Sequence, residues 1–132
     1  HQRSIAKAVQ ELQRAGIVVS LFVDPNRTQI HAARDTGAEF IEIHTGCYAD
    51  ATTQRRQDSE FKKIVAATEY AVLLGLNVNA GHGLTYQNIQ RLVPIKEIYE
   101  FSIGHSIIAR AVIVGIEQAV REMLDLIQAS EK

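Results

Sequence analysis

Five polar side chains stand at or just after the ends of apolar, β-branched runs. They are Asp24, His44, Thr45, His82 and His105, so three of the five histidines occupy equivalent places. In α/β folds the functional site lies beyond the carboxyl ends of the parallel strands, so these groups are predicted to meet at one edge of a sheet. Because imidazole titrates nearest neutral pH, the pattern indicates a site for proton transfer or ligand binding without choosing between them.

Glycines flank two of these histidines, in Gly81-His82-Gly83 and in Gly104-His105. Glycine between a strand and a helix lets backbone N–H groups approach an anion, and the following helix adds the positive end of its dipole. Phosphate sites in β/α barrels frequently use the loops after the last strands. The spacing therefore predicts a phosphate site at Gly104-His105, although tight turns alone would use the same glycines.

Glu42 lies in the middle of a strand-like run, between Ile41 and Ile43. A buried carboxylate is costly unless it is paired or used, which leaves two interpretations: a structural salt bridge, or acid–base and electrostatic work. Cys47 follows His44 closely, and a cysteine near a histidine invites a nucleophile interpretation. The favoured interpretation of Cys47 is a small buried apolar residue.

The elements that must position these residues alternate along the chain. Helical patterns end at glycine and give way to strand-like runs. Four strands are predicted, at residues 17–23, 38–44, 76–80 and 99–103. Asp24-Pro25 predicts the start of one helix, Thr85 caps another, and a third follows at 107–114. This order predicts parallel strands with right-handed helical crossovers.

The alternation of side chains along the strands favours a barrel over an open sheet. It places Glu42 and His44 on one face of their strand and Ile41 and Ile43 on the other, and residues 76–80 divide in the same way. A strand covered by helices on both faces would be apolar throughout. One polar face instead fits the interior of a (β/α)8 barrel. An open doubly wound sheet is the alternative.

Length and composition bound the function further. The 132 residues are about half of the ~250 that a (β/α)8 barrel needs. A net charge of −1 without a basic block argues against nucleic-acid binding, and no apolar run approaches the ~20 residues of a membrane span. The single cysteine fits a reducing compartment, so a cytoplasmic location is expected. The chain begins at His1 inside a helical pattern, and we expect it to be part of a longer protein.

Four stretches of the chain resemble the pyridoxine 5′-phosphate synthase family. They are residues 19–24 (VSLFVD), 40–50 (FIEIHTGCYAD), 78–85 (VNAGHGLT) and 103–108 (IGHSII). These motifs are long and specific, and they occur in the family's order over essentially the whole chain. Residues 52–60 carry no recognisable motif.

The resemblance implies a fold and a reaction. The family is a (β/α)8 barrel, and residues 1–132 are similar to its C-terminal half, strands five to eight, so the N-terminal half lies outside this chain. The family condenses 1-deoxy-D-xylulose 5-phosphate with 3-amino-2-oxopropyl phosphate, and releases inorganic phosphate and water as the pyridine ring closes. The resemblance implies no cofactor and no metal, and it implies a homo-oligomer, an octamer, with neither nucleic acid nor membrane as a partner.

The resemblance also implies roles for five residues. His82 is the proton donor and Glu42 helps to stabilise a transition state, while Gly83, Gly104 and His105 bind the amino-ketone phosphate. The family's two proton acceptors, a His and a Glu, belong to the N-terminal half. We therefore expect this chain to be inactive alone.

Two alternatives come from other functional classes. A metal-dependent barrel hydrolase would use His44, His82 and His105 as ligands. A small phosphate-binding module without catalysis would keep the glycine-rich turns and need no further half. Metal analysis discriminates the first, and the second requires a chain that is a stable monomer by itself.

Overall fold

A computed structural model describes residues 1–129 as an alternation of helices with parallel strands. The strands are β1 (Ser20–Val23), β2 (Phe40–His44), β3 (Asn77–Gly81) and β4 (Ile98–Ser102). The helices are α1 (Gln2–Arg14), α2 (Arg27–Asp35), α3 (Gly46–Ala49), α4 (Gln54–Leu73), α5 (His105–Val114) and α6 (Ile116–Gln128). One 3₁₀ turn, Ile89–Arg91, lies between β3 and β4.

The four strands form one parallel sheet in the order of the sequence, β1-β2-β3-β4. Glu42 of β2 stands opposite Asn79 of β3, and His44 stands opposite Gly81. The register between β3 and β4 shifts between Val78 and Asn79. All four carboxyl ends therefore meet at one edge of the sheet, as the alternating pattern predicts.

The two faces of the sheet differ as the side-chain alternation predicts. Ile41 and Ile43 are fully buried under the helices, whereas Glu42 and His44 on the other face are half-buried. An open doubly wound sheet would bury both faces under helices. A four-stranded parallel sheet with one apolar and one polar face is compatible with part of a (β/α)8 barrel.

The main core lies between the apolar face of the sheet and helices α2 and α4. Ile30 of α2 and Ile64 and Ala71 of α4 are fully buried there. Helix α4 begins where the Thr53 side chain accepts a hydrogen bond from the Arg56 N–H, and it ends before Gly75, whose φ is +79°. These are the cap and stop signals that a long amphipathic helix needs.

The structure changes two local predictions and adds one short helix. The cap of α2 is Asn26 rather than Asp24, because the Asn26 side chain accepts from the N–H groups of Thr28 and Gln29. Thr85 caps the following turn as predicted, because its hydroxyl accepts from the Asn88 N–H and the Asn88 side chain accepts from the Thr85 N–H, but the helix predicted beyond it is only the 3₁₀ turn Ile89–Arg91. The short helix α3 was not predicted, because four residues give no periodic signal.

Apolar surface is exposed at both edges of the sheet. Strands β1 and β4 each pair with one neighbour within residues 1–129. Helix α5 buries none of its side chains, and its Val112 and Ile113 are 84% and 79% exposed. No helix in this part of the chain is long and apolar enough to cross a membrane.

Candidate active site

A cavity of about 680 Å³ opens at the carboxyl ends of the strands. It is lined by Phe22, Glu42, His82, Gly83, Leu84, Thr85, Ser102, Ile103, Gly104, His105 and Ser106. The lining includes all five residues to which the sequence analysis assigned roles. They come from the middle of β2, from the loops that follow β3 and β4, and from the first turn of α5, so only the folded sheet brings them together.

Glu42 projects from β2 toward the end of β4. The Ser102 hydroxyl donates to Oε2 of Glu42 at 3.0 Å. Gly81 on β3 leaves the space for this pair, because a Cβ there would contact Oε1 of Glu42 and would lie 2.8 Å from Cβ of Ser102. No ion pair to Glu42 forms within residues 1–129, so the salt-bridge interpretation finds no partner in this part of the chain.

His44 and His82 lie side by side at the ends of β2 and β3. Their ring centroids are 4.8 Å apart in an edge-to-face arrangement, with the Phe22 ring 5.1 Å from His44. A Cβ on Gly46 would lie 2.6 Å from Nε2 of His44 and 3.1 Å from Cδ2 of His82. Glycine at position 46 therefore makes room for both imidazoles.

Asp24 orients the His44 ring. Nδ1 of His44 lies 3.3 Å from Oδ1 of Asp24, and because a carboxylate only accepts, the nitrogen is the donor. Donation from Gln29, and then from His44, lowers the pKa of Asp24. Asp24 thus orients the histidine that lies beside His82, instead of starting helix α2.

His82 has an unusual backbone conformation. Its φ is +78°, which makes it the only non-glycine residue of 1–129 with positive φ, and Gly83 follows with φ +75°. A side chain on Gly83 would collide with Ala49, since a Cβ there would lie 2.6 Å from Cβ of Ala49. The two left-handed residues turn the chain sharply after β3 and leave the imidazole at the cavity wall.

A second wall of the cavity is formed by the start of helix α5. Gly104 is its N-cap, and no atom lies within 4 Å of where a Gly104 Cβ would be. The hydroxyl of Ser106 donates to the carbonyl oxygen of Leu84 at 2.8 Å and ties this first turn to the loop after β3. The N–H groups of a helix's first turn have no intrahelical acceptors, so they can bind an anion here.

Cys47 does not belong to the cavity, and its predicted burial is wrong. The thiol is exposed, while its neighbours Gly46 and Tyr48 are buried. A four-residue helix can turn only one side inward, and in α3 the Tyr48 ring takes that side. The Tyr48 hydroxyl donates to the carbonyl of Asn88 at 2.7 Å, and burial raises its pKa.

The three histidines of the hydrolase alternative do not form a metal centre in this structure. Within residues 1–129, no three His, Cys, Asp or Glu side chains lie close enough together to share a metal ion. His44 and His82 adjoin each other, whereas His105 lies on the other wall. The donor set therefore does not favour the hydrolase alternative.

Two groups of the site have weak or no sequence signals. Ser102 lies on the same strand face as Glu100, two residues before Gly104. This alternation of side chains was a signal that could have predicted the contact of its hydroxyl with Glu42. Asn88 had no such signal. Its side chain donates to the Gly83 carbonyl at 3.1 Å, a contact created by the path of the loop.

Comparison with known proteins decides the family. The model of the family described as pyridoxal phosphate biosynthesis protein PdxJ matches residues 1–129. The chain belongs to this family. The resemblance stated from the sequence motifs is thereby confirmed.

Relatives in this family are named pyridoxine 5′-phosphate synthase. One from Legionella pneumophila (strain Corby) is 52% identical over 128 residues, which cover 97% of this chain and 52% of that protein. Those from Geotalea daltonii and Aliivibrio fischeri are each 51% identical, covering 98% and 97% of this chain and 54% and 53% of the relatives. The chain spans about half the length of the curated relatives it matches.

A solved structure supports the fold independently. A chain of the crystal structure of the Amycolatopsis orientalis BexX/CysO complex superposes with a TM-score of 0.54 at 11% sequence identity. The match covers 99% of this chain and 51% of that one. At this identity the similarity concerns the fold alone.

Proposed function

We propose that the protein containing this chain is a pyridoxine 5′-phosphate synthase. It condenses 1-deoxy-D-xylulose 5-phosphate with 3-amino-2-oxopropyl phosphate and forms pyridoxine 5′-phosphate, inorganic phosphate and water. One observation carries the proposal: a single cavity is lined by Glu42, His82, Gly83, Gly104 and His105. Family membership and the names of the relatives support it.

His82 acts as the proton donor. Ring closure between an amino ketone and a sugar ketone requires the loss of hydroxyl groups, and water is a poor acid for that step at neutral pH. An imidazolium at the cavity wall can protonate a departing hydroxyl. Gly81 and Gly83 on either side of His82 let the backbone pack closely against Glu42 and Ala49, which fixes the turn that carries the ring.

Glu42 stabilises positive charge that develops during the condensation. Its carboxylate reaches the cavity from the strand next to His82, held by the Ser102 hydroxyl. A fixed negative charge in a partly desolvated cavity acts more strongly than the same charge in water. The role therefore requires the charge of Glu42 and not only its shape.

The amino-ketone phosphate binds between Gly83 and the start of α5. The free N–H groups of the first turn at His105 offer hydrogen bonds, and the helix dipole favours the phosphate dianion. The open space at Gly104 lets a phosphate approach the backbone closely. No metal or cofactor takes part in this proposal.

We propose that residues 1–132 are the C-terminal half of one (β/α)8 barrel, strands five to eight. The free edges of β1 and β4 and the exposed face of α5 are surfaces that the remaining strands and helices of a barrel would cover. The half alone exposes unpaired edges that invite aggregation, so we expect it to be poorly soluble and inactive. The complete chains assemble as a cytoplasmic homo-octamer in this proposal.

The decisive experiment assays the full-length protein with both substrates. We expect pyridoxine 5′-phosphate by mass spectrometry and one inorganic phosphate released for each product molecule. Omission of either substrate is the control. Absence of product from a well-folded protein would overturn the proposal. Synthase activity that is lost on chelation and restored by zinc would overturn the statement that no metal takes part.

A further inference from the structure

The hydroxyl of Thr45 makes a contact that the proposed chemistry does not use. Thr45 is fully buried at the end of β2, and its Oγ1 lies 2.7 Å from the carbonyl oxygen of Gly81 and 2.6 Å from that of His82. Both contacts run from β2 to the end of β3. The hydroxyl proton is therefore shared between two carbonyl oxygens. The Gly81 carbonyl precedes the His82 nitrogen, and the His82 carbonyl follows the His82 α-carbon.

Thr45 gives up a local role to make this contact. It is the N-cap residue of α3, a position where threonine usually accepts from the backbone of its own helix, yet it makes no such side-chain bond. The Gly81 carbonyl already accepts the Thr45 N–H at 2.8 Å. The contact that only the hydroxyl supplies is thus the one to the His82 carbonyl.

The turn at His82, which Thr45 contacts, has a backbone conformation that other contacts must stabilise. His82 has φ +78°, a conformation that L-residues rarely adopt and that persists when the surroundings impose it. On the far side of this turn, Asn88 donates to the Gly83 carbonyl, and Tyr48 donates to the Asn88 carbonyl. Thr45 and Asn88 therefore fix the turn from its two ends.

We propose that Thr45 is a positioning residue for His82. Its hydroxyl holds the His82 carbonyl so that the backbone stays left-handed and the imidazole stays beside His44 at the cavity wall. Without the hydroxyl, the turn relaxes toward ordinary backbone conformations and the ring leaves its place. As an inference about catalysis, this rests on the proposed function, because it assumes that His82 delivers the proton.

The test removes the hydroxyl and keeps the shape, by Thr45→Val in the full-length protein. Displacing a catalytic group by about 1 Å can cost on the order of 10²-fold in rate, so we expect kcat to fall by roughly 10- to 100-fold while KM changes little. Thr45→Ser keeps the hydroxyl and should retain most of the parent kcat. If Thr45→Val does not fold, we compare Thr45→Ala with Thr45→Ser. Both variants lack the threonine methyl group, so they differ only in the hydroxyl.

Thr68 provides a matched control. It is also fully buried, on α4, and its hydroxyl has no hydrogen-bond partner within residues 1–129. Thr68→Val makes the same chemical change away from the cavity. We expect it to leave kcat and KM at the parent values, so a loss confined to Thr45→Val reports on the contact with His82.

A second measurement does not depend on activity. With ring-labelled histidine, the NMR signals of the His82 imidazole should shift in Thr45→Val and stay unchanged in Thr45→Ser, while those of His105 on helix α5 stay in place. Equal kcat in the valine and serine variants with unmoved His82 signals would overturn the inference. An inactive parent protein whose His82 signals still shift in Thr45→Val would overturn the proposed function and leave the positioning role standing.

Discussion

The two walls of the cavity differ in how closely their backbones are packed. On the wall formed by the ends of β2 and β3, Cβ atoms added at Gly46, Gly81 or Gly83 would meet neighbouring atoms closer than side chains tolerate. On the wall at the start of α5, a Cβ at Gly104 would meet nothing within 4 Å. On one wall, glycine thus allows protein groups to pack closely against each other. On the other wall, it leaves open space.

The difference matches two kinds of work. A proton donor must be held within a fraction of an ångström of its productive place, which a crowded and hydrogen-bonded wall provides. A phosphate is held by several N–H groups and a helix dipole, which need accessible backbone more than close packing. The comparison predicts that changes on the crowded wall lower turnover, whereas changes on the open wall weaken substrate affinity.

The largest expected effect comes from His82 on the crowded wall. General acid catalysis typically contributes ~10²–10⁴-fold, so we expect His82→Asn in the full-length protein to lower kcat by about that factor. Asparagine tolerates the left-handed conformation that His82 adopts, so the fold and phosphate binding should be kept. Steady-state kinetics and circular dichroism check both points. Weakened affinity with an unchanged kcat would make His82 a binding residue and break the comparison.

The next effect concerns the charge of Glu42. Glu42→Gln preserves the size of the side chain and removes the charge, and loss of one preorganised electrostatic contact costs on the order of 10²-fold in kcat. We expect KM to change little, because the carboxylate acts on charge that develops in the transition state. Ser102→Ala is the matched partner and should give a smaller loss, since it removes the hydroxyl that orients the same carboxylate. Parental turnover in a folded Glu42→Gln variant would make Glu42 structural.

A pair of glycine substitutions compares the two walls directly. A Gly81→Ala side chain would crowd Glu42 and Ser102, and overpacking typically costs about 1–3 kcal/mol of the free energy of unfolding. Gly104→Ala enters open space and should leave that free energy within about 0.5 kcal/mol of the parent. In the proposed binding mode the added methyl group takes space beside the phosphate, so KM for the amino-ketone phosphate should rise instead. Chemical denaturation and KM measurements on both variants separate the outcomes, and equal destabilisation would show that the walls do not differ.

The smallest expected effect is a pH dependence of stability at Tyr48, which supports the residues of the crowded wall. Burial raises the pKa of Tyr48, so its contribution to stability is fully present below the ordinary tyrosine value of about 10 and is lost as the pH rises through the raised pKa. Tyr48→Phe loses the bond to Asn88 and should melt below the parent at about pH 8. The difference in Tm between the two proteins should narrow as the pH rises above about 10, because ionisation of Tyr48 then favours the parent's unfolded state. A constant difference would contradict the role assigned to burial.

Local sequence patterns predict the alternation of helices and strands and the two faces of the strands. Glycine stops, helical stripes and the parity of Ile41 and Ile43 against Glu42 and His44 are local signals, and the sheet follows them. The motifs also identified the family. Local patterns suffice here because each depends on residues within one element and its ends.

The fine geometry of the site depends on contacts between separate elements of the fold. The Thr45 hydroxyl bonds the carbonyl of His82, which is 37 residues further along the chain. The positive φ of His82 and the contact of Asn88 with Gly83, 5 residues apart, depend on the path of the loop after β3. The same holds for Asp24, which a local capping rule assigned to α2 and which instead faces His44, 20 residues away. Such contacts form because parallel strands bring distant carboxyl ends to one edge, and no periodicity within a single segment records which side chains will meet there.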